Sequence, residues 1–242
     1  MYNWFSVITG LGASLGLLLV ALRAPQYQAI RWMEAGLWIL LISLVGARVA
    51  FVMINWGYFQ TRWLDSLQIW LGGLSWIGAA AGALLGLAGV ALARKQSLGS
   101  LADAMLPLVL PLCVAAWLGA WEAGTAYGAP ASGVWWAVPS INEWGVWTLR
   151  WPLQPLGAVA SLAIFWLVER LHPRLRRPGQ AASLAFAGLV LSVFGLSFRM
   201  AEPGLSWRGW RLDSWAALVF TGLAFILCLA AFWPFHQKNE GK

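Results

Sequence analysis

The residues of this 242-residue chain with chemical potential are a few polar groups set among apolar runs. Arg48 lies inside GARVAFVMI. An arginine within a hydrophobic segment is costly unless it faces a partner or a polar cavity. Gly72 and Gly73 open the next apolar run, and paired glycines let a backbone approach a neighbouring helix or a ligand closely. Glu122, Gln154 and Arg199 each stand at one end of an apolar run. On spans that alternate in direction, all six fall at one depth on the outer side. That spacing predicts an outward-opening pocket of positive character, able to hold an anionic headgroup through bidentate arginine contacts. The competing structural reading makes Arg48 the ion-pair partner of Glu122.

No familiar catalytic set can be assembled. The two histidines, His172 and His236, fall in a basic loop and in the C-terminal tail. Cys113 and Cys228 lie inside apolar runs without a base nearby, which also argues against a disulfide. There is no zinc-ligand spacing, HExxH, Ser-His-Asp arrangement or phosphate-cradling glycine loop. No metal or cofactor is expected. Glu122, the lone outer carboxylate, is the candidate general base.

The elements that must position these groups are membrane helices. Hydrophobic residues make up 60% of the chain and charged ones 10%, against about 25% charged in soluble domains. Nineteen tryptophans suit interfacial surfaces. The net charge of +7 is spread between spans rather than gathered on one face, which excludes a nucleic-acid partner. Apolar runs of about 20 residues predict seven spans, near 4–22, 32–56, 67–93, 101–121, 152–169, 181–198 and 214–235. The first has no basic residue ahead of it and so reads as a retained span rather than a signal peptide. Ten basic residues fall on one side (Arg23, Arg31, Arg94, Lys95, Arg170, Arg174, Arg176, Arg177, Lys238, Lys242) and five on the other (Arg62, Arg150, Arg199, Arg208, Arg211). The positive-inside rule then puts the N-terminus outside and the C-terminus inside. The expectation is an all-α polytopic protein, one transmembrane domain over residues 1–242, with a tryptophan-rich outer loop at about 123–151. Glu34 and Asp103 are expected to snorkel or cap, Glu169 to face the basic cluster, and Arg208, Arg211 and Asp213 to form a solvated turn.

Several motifs together resemble the bacterial prolipoprotein diacylglyceryl transferase family. GARVAFVMINWGYF…IWLGGLSWIGAAAG is similar to the family's GGRIGYVLFYN…W-x-GGMSFHGG, and LADAMLPL to its SDxxAPL. LGAWEAGTAYG keeps the glycine spacing of LGNFINGELWG, RWPLQ resembles RHPSQ, and SFRMAEP resembles FFRQPD. The resemblance covers nearly the whole chain. It implies a multi-pass protein of the bacterial cytoplasmic (plasma) membrane that moves the diacylglyceryl group of phosphatidylglycerol onto the lipobox cysteine of a prolipoprotein. The implied partners are that anionic phospholipid and prolipoprotein signal peptides. The matching substrate-binding positions are Arg48, Asn55, Gly72, Gly73, Gly119, Gly128, Arg150, Gln154 and Arg199.

Other family positions differ. The FHGG histidine corresponds to Ile77, the arginine before LGN to Trp117, and the asparagines of GNFIN to Ala120 and Ala123. That motif's glutamate corresponds to Thr125, the RHPSQ histidine to Trp151, and the Arg and Glu of FRIIVE to Ser192 and Leu196. Imidazole and guanidinium supply proton transfer and charge stabilisation that alkyl and indole groups do not. Two readings therefore stand: a transferase with Glu122 and Arg48 in a relocated set, or a non-catalytic protein binding anionic phospholipid or apolar peptide on the same scaffold. A transporter fits less well, because no paired broken helices or polar pore lining are visible.

Overall fold

The computed structural model describes residues 4–69, 72–142 and 144–232. His236, Lys238 and Lys242 lie outside the described residues. Seven long helices dominate: α1 (Trp4–Arg23), α2 (Ala29–Ile54), α4 (Trp76–Ala93), α5 (Leu98–Glu122), α6 (Leu153–Leu171), α7 (Gln180–Ser197) and α8 (Leu212–Phe232). A one-turn helix, α3 (Trp56–Phe59), follows α2. Six of the long helices are long and apolar enough to cross a membrane. The seventh, α6, has the length, but Gln154, Glu169 and Arg170 at its ends lower its apolarity below that standard.

The all-α expectation needs two small additions. Strands β1 (Val138–Ile141) and β2 (Trp147–Arg150) pair antiparallel, with Val138 opposite Arg150 and Ile141 opposite Trp147. Strands β3 (Ser206–Trp207) and β4 (Trp210–Arg211) form a second hairpin. Bridges from Pro130 to Arg150 and from Gly128 to Met200 extend the first hairpin sideways, so the tryptophan-rich loop is a small folded cap.

The third span also starts later than its apolar run suggests. Gly72 and Gly73 have φ of +89° and +76° and precede the helix, which begins at Trp76. They belong to a loop, not to the outer third of a span. A left-handed backbone is the conformation glycine adopts without a steric penalty.

Small residues set how closely the helices pack. In α4, Gly78, Gly82 and Gly86 recur every four residues and so share one face. A Cβ on Gly78 would lie 2.1 Å from the Gly46 carbonyl oxygen, and one on Gly82 would lie 2.6 Å from that of Ile42. The α2 and α4 backbones therefore touch, as in glycine-mediated membrane packing. Gly12 of α1 meets Pro111 and Ala115 of α5 in the same way. Pro107 and Pro111 sit inside α5, which nonetheless continues for 25 residues. Membrane helices tolerate such prolines when neighbours re-satisfy the backbone.

Contacts at the helix ends show the alternation of direction. At one end Arg23 pairs with Glu169 at 2.6 Å and Arg94 with Glu34 at 3.0 Å. There too the Asp103 carboxylate accepts the N–H groups of Gly179 (2.7 Å) and Ala182 (2.8 Å), capping α7 from α5. This end carries the basic loops and the largest apolar core cluster, around Ala35, Leu101 and Met105. The folded cap, both hairpins and the loop after α3 lie at the opposite end.

Candidate functional site

At the cap end, polar side chains do two different jobs. Arg48 is buried and its guanidinium is spent on backbone. Its Nε donates to Ser66 O (2.7 Å), Nη1 to Gly72 O (2.7 Å) and Gly73 O (3.0 Å), and Nη2 to Asp65 O (2.6 Å). The rings of Phe51 and Phe59 flank it at 5.6 and 5.5 Å. Four of five donors thus tie Asp65, Ser66, Gly72 and Gly73 to α2, and Ser75 N–H adds a bond to Ala47 O (3.0 Å). Glu122, at the end of α5, is exposed and pairs with neither Arg48 nor any other described residue. Asn55 caps α2 by donating to Phe51 O at 2.9 Å. Gly119 gives room to Phe5 of α1, 3.0 Å from where its Cβ would be.

Gly128, Arg150, Gln154 and Arg199 do come together, around the segment 124–130. Gln154 is fully buried and donates to Thr125 O at 3.0 Å. Arg150 is buried, lies over the Tyr127 ring at 4.4 Å and donates to Gly128 O at 3.3 Å. Gly128 packs directly on Trp151, whose carbonyl oxygen would be 2.4 Å from an added Cβ. Bonds from Ala129 N–H to Arg199 O (3.0 Å) and from Ala201 N–H to Tyr127 O (2.9 Å) hold the other side. Ala126, at φ +52°, is a non-glycine residue in the left-handed region, and its N–H donates to the Glu202 carboxylate at 2.7 Å. Clamping from both sides is what keeps such a strained residue in place.

Arg199 differs from the buried Arg48 and Arg150. Its guanidinium is exposed, lies over the Trp151 ring at 4.8 Å and makes no hydrogen bond to a described residue. Trp136 packs against Trp151 at 4.3 Å with the rings tilted by 53°, which props that indole. An arginine held on an aromatic face with its donor fork free has the chemistry to bind a phosphate or carboxylate.

A second network was not apparent from residue spacing. Trp76 Nε1 donates to Asp213 at 2.9 Å, Arg211 pairs with the other Asp213 oxygen at 3.0 Å, and Arg211 also donates to Glu202 O. Arg211 and Asp213 are thus partly buried connectors of α4, α8 and the cap rather than a solvated turn. Arg208 stays exposed, over Trp207 at 4.7 Å. Glu202 had a visible signal, the carboxylate within SFRMAEP. Trp76 and Asp213 had none.

The sequence profile described as prolipoprotein diacylglyceryl transferase matches residues 2–230. The chain belongs to this family. It is 26% identical over 243 residues to the phosphatidylglycerol–prolipoprotein diacylglyceryl transferase of Thermus thermophilus, covering 98% of this chain and 84% of that one. The enzyme of that name from Thermosynechococcus vestitus is 24% identical over 224 residues, covering 88% and 78%. The one from Bacillus licheniformis is 34% identical over 113 residues, 45% of this chain and 41% of that one.

At three positions where the sequence departs from the motifs it resembles, the side chains are engaged within the protein itself. The Trp117 ring fills the space beside Gly157, where a Cβ would lie 2.2 Å from it. Trp151 is the shelf under Arg199. Ser192 bonds its own helix at Leu189 O, 2.7 Å away.

Proposed function

We propose that this chain acts at the outer face of the bacterial cytoplasmic membrane as a phosphatidylglycerol–prolipoprotein diacylglyceryl transferase. It crosses the membrane seven times, α6 included, with its N-terminus outside and the cap facing outward. Family membership and the names of the relatives support this reading. The observation that carries it is the free guanidinium of Arg199 on Trp151, beside the clamped segment 124–130. In the reaction, a lipobox cysteine sulfur bonds to the diacylglyceryl carbon, the bond from that carbon to the phosphate oxygen breaks, and glycerol phosphate leaves. Arg199 would hold the phosphate and its growing charge. Glu122 is the candidate to take the thiol proton. Gly128, Arg150 and Gln154 position the shelf, while Arg48, Asn55, Gly72, Gly73 and Gly119 shape the surrounding backbone.

One observation favours a second reading, a binding protein without transferase chemistry. Trp117 and Trp151 are occupied with packing and stacking, at positions where the family motifs have an arginine and a histidine. A transfer assay separates the two. Purified protein in phosphatidylglycerol micelles is given a lipobox peptide, and mass spectrometry reads the added diacylglyceryl group. Mass gain that Glu122→Gln abolishes supports an enzyme with that base, and gain in both discards Glu122 alone. No gain, with phosphatidylglycerol still retained in an Arg199-dependent manner, establishes the binding reading.

A further inference from the structure

We propose a second lipid site at the basic end, in the seam between α2 and α4, that holds one phospholipid with a zwitterionic, amine-bearing headgroup. A cleft of about 310 Å³ opens there, with Glu34, Trp38 and Ile42 on one wall and Gly89 and Arg94 on the other. Glu34, Trp38 and Ile42 are four residues apart and so line one face of α2 for roughly 12 Å. Across from them, nothing lies within 4 Å of a Cβ built on Gly89, so the missing side chain leaves the cleft its width. Further along the same seam, at Gly78 and Gly82, the two helices are in backbone contact.

Its mouth carries both signs of charge. Arg94 donates to Arg31 O at 2.6 Å and to Glu34 at 3.0 Å, which fixes the guanidinium while leaving it further N–H donors. Its side chain is 14% exposed, against 58% for Glu34. A phosphate suits the Arg94 side and a primary ammonium the Glu34 side. One helical turn deeper, Trp38 is 53% exposed and its indole N–H has no partner among the described residues. Indoles favour the membrane interface, where the N–H finds an acceptor. An ester carbonyl just below a headgroup provides one. The apolar depth of the cleft then takes the start of an acyl chain.

This site is at the opposite end from Arg199 and does not depend on the transferase reading. The test is native mass spectrometry of the protein equilibrated in mixed micelles with equal phosphatidylethanolamine and phosphatidylglycerol, followed by stepwise delipidation. The expected result is one phosphatidylethanolamine retained at least fivefold over phosphatidylglycerol. Gly89→Leu, which enters open space and should leave the melting temperature unchanged, should cut that retention at least fivefold. Glu34→Gln should abolish the headgroup preference while some lipid stays. Equal retention of the two lipids by the native protein, or undiminished retention by Gly89→Leu, overturns the proposal.

Discussion

The carboxylate of Asp103 bonds the backbone N–H groups of Gly179 and Ala182, so α5 supplies the cap of α7 across 76 residues of sequence. A negative charge at a helix N-terminus satisfies donors that the helix cannot and complements its dipole. Asp103→Asn keeps the shape and loses the charge, and is expected to cost about 1–2 kcal/mol. Reversible unfolding in detergent would show this, with Asp103→Ala at least as damaging.

Arg48→Ala should release the segments around Asp65 and Gly72 rather than only weaken lipid binding, because four backbone carbonyls lose their donor. The expected destabilisation is roughly 2–4 kcal/mol. Trypsin should cut faster at Arg62, which lies beside the first of these. Arg48→Lys should recover only part, since an ammonium lacks the planar five-donor fork.

Arg199→Ala should leave folding within about 0.5 kcal/mol of native, as expected for an exposed side chain with no hydrogen bond to a described residue. Phosphatidylglycerol affinity should fall about tenfold, or ~1.4 kcal/mol. Lipid titration in nanodiscs reads both the loss and the smaller loss expected for Arg199→Lys. Unchanged affinity would remove Arg199 from the site.

Gly78→Ala puts a methyl 2.1 Å from the Gly46 oxygen and 2.5 Å from Ala50 Cβ. Backbone cannot yield as a flexible side chain does, so a loss of roughly 3 kcal/mol is expected. Gly222→Ala meets nothing within 4 Å and should stabilise α8 by up to about 1 kcal/mol. Thermal unfolding of the pair compares tight with open glycines in one protein.

Gln154→Leu preserves volume but leaves Thr125 O without its donor. The expected cost is about 1–2 kcal/mol. Hydrogen exchange should rise at residues 125–129 and stay unchanged in α2 and α4.

The apolar runs were legible because a bilayer imposes both length and composition, and the long helices fall within a few residues of those runs. The exception teaches why. No charged residue breaks LQIWLGGLSWIG, so hydropathy alone extends the third span back to Leu67. The demand of Arg48 for carbonyl oxygens instead draws Gly72 and Gly73 into a loop. Sequence marks a buried arginine as needing partners without saying whether they are carbonyls or a ligand. At the site, the family motifs pointed to Gly128, Arg150, Gln154 and Arg199, which do gather. Glu202 stands in the SFRMAEP motif, but that motif does not name Ala126 as its partner, because their bond depends on how α7 packs beside α5.

That last bond sets an order of assembly. Ala126 leaves the ribosome 76 residues before the carboxylate that holds it, and Ala129 waits for Arg199. The cap therefore cannot lock until α7 and the segment beyond it have been made and packed. A chain stalled during synthesis before residue 202 can carry six of its long helices and still lack a finished shelf. Completion of the shelf is thus among the late events in the making of the chain.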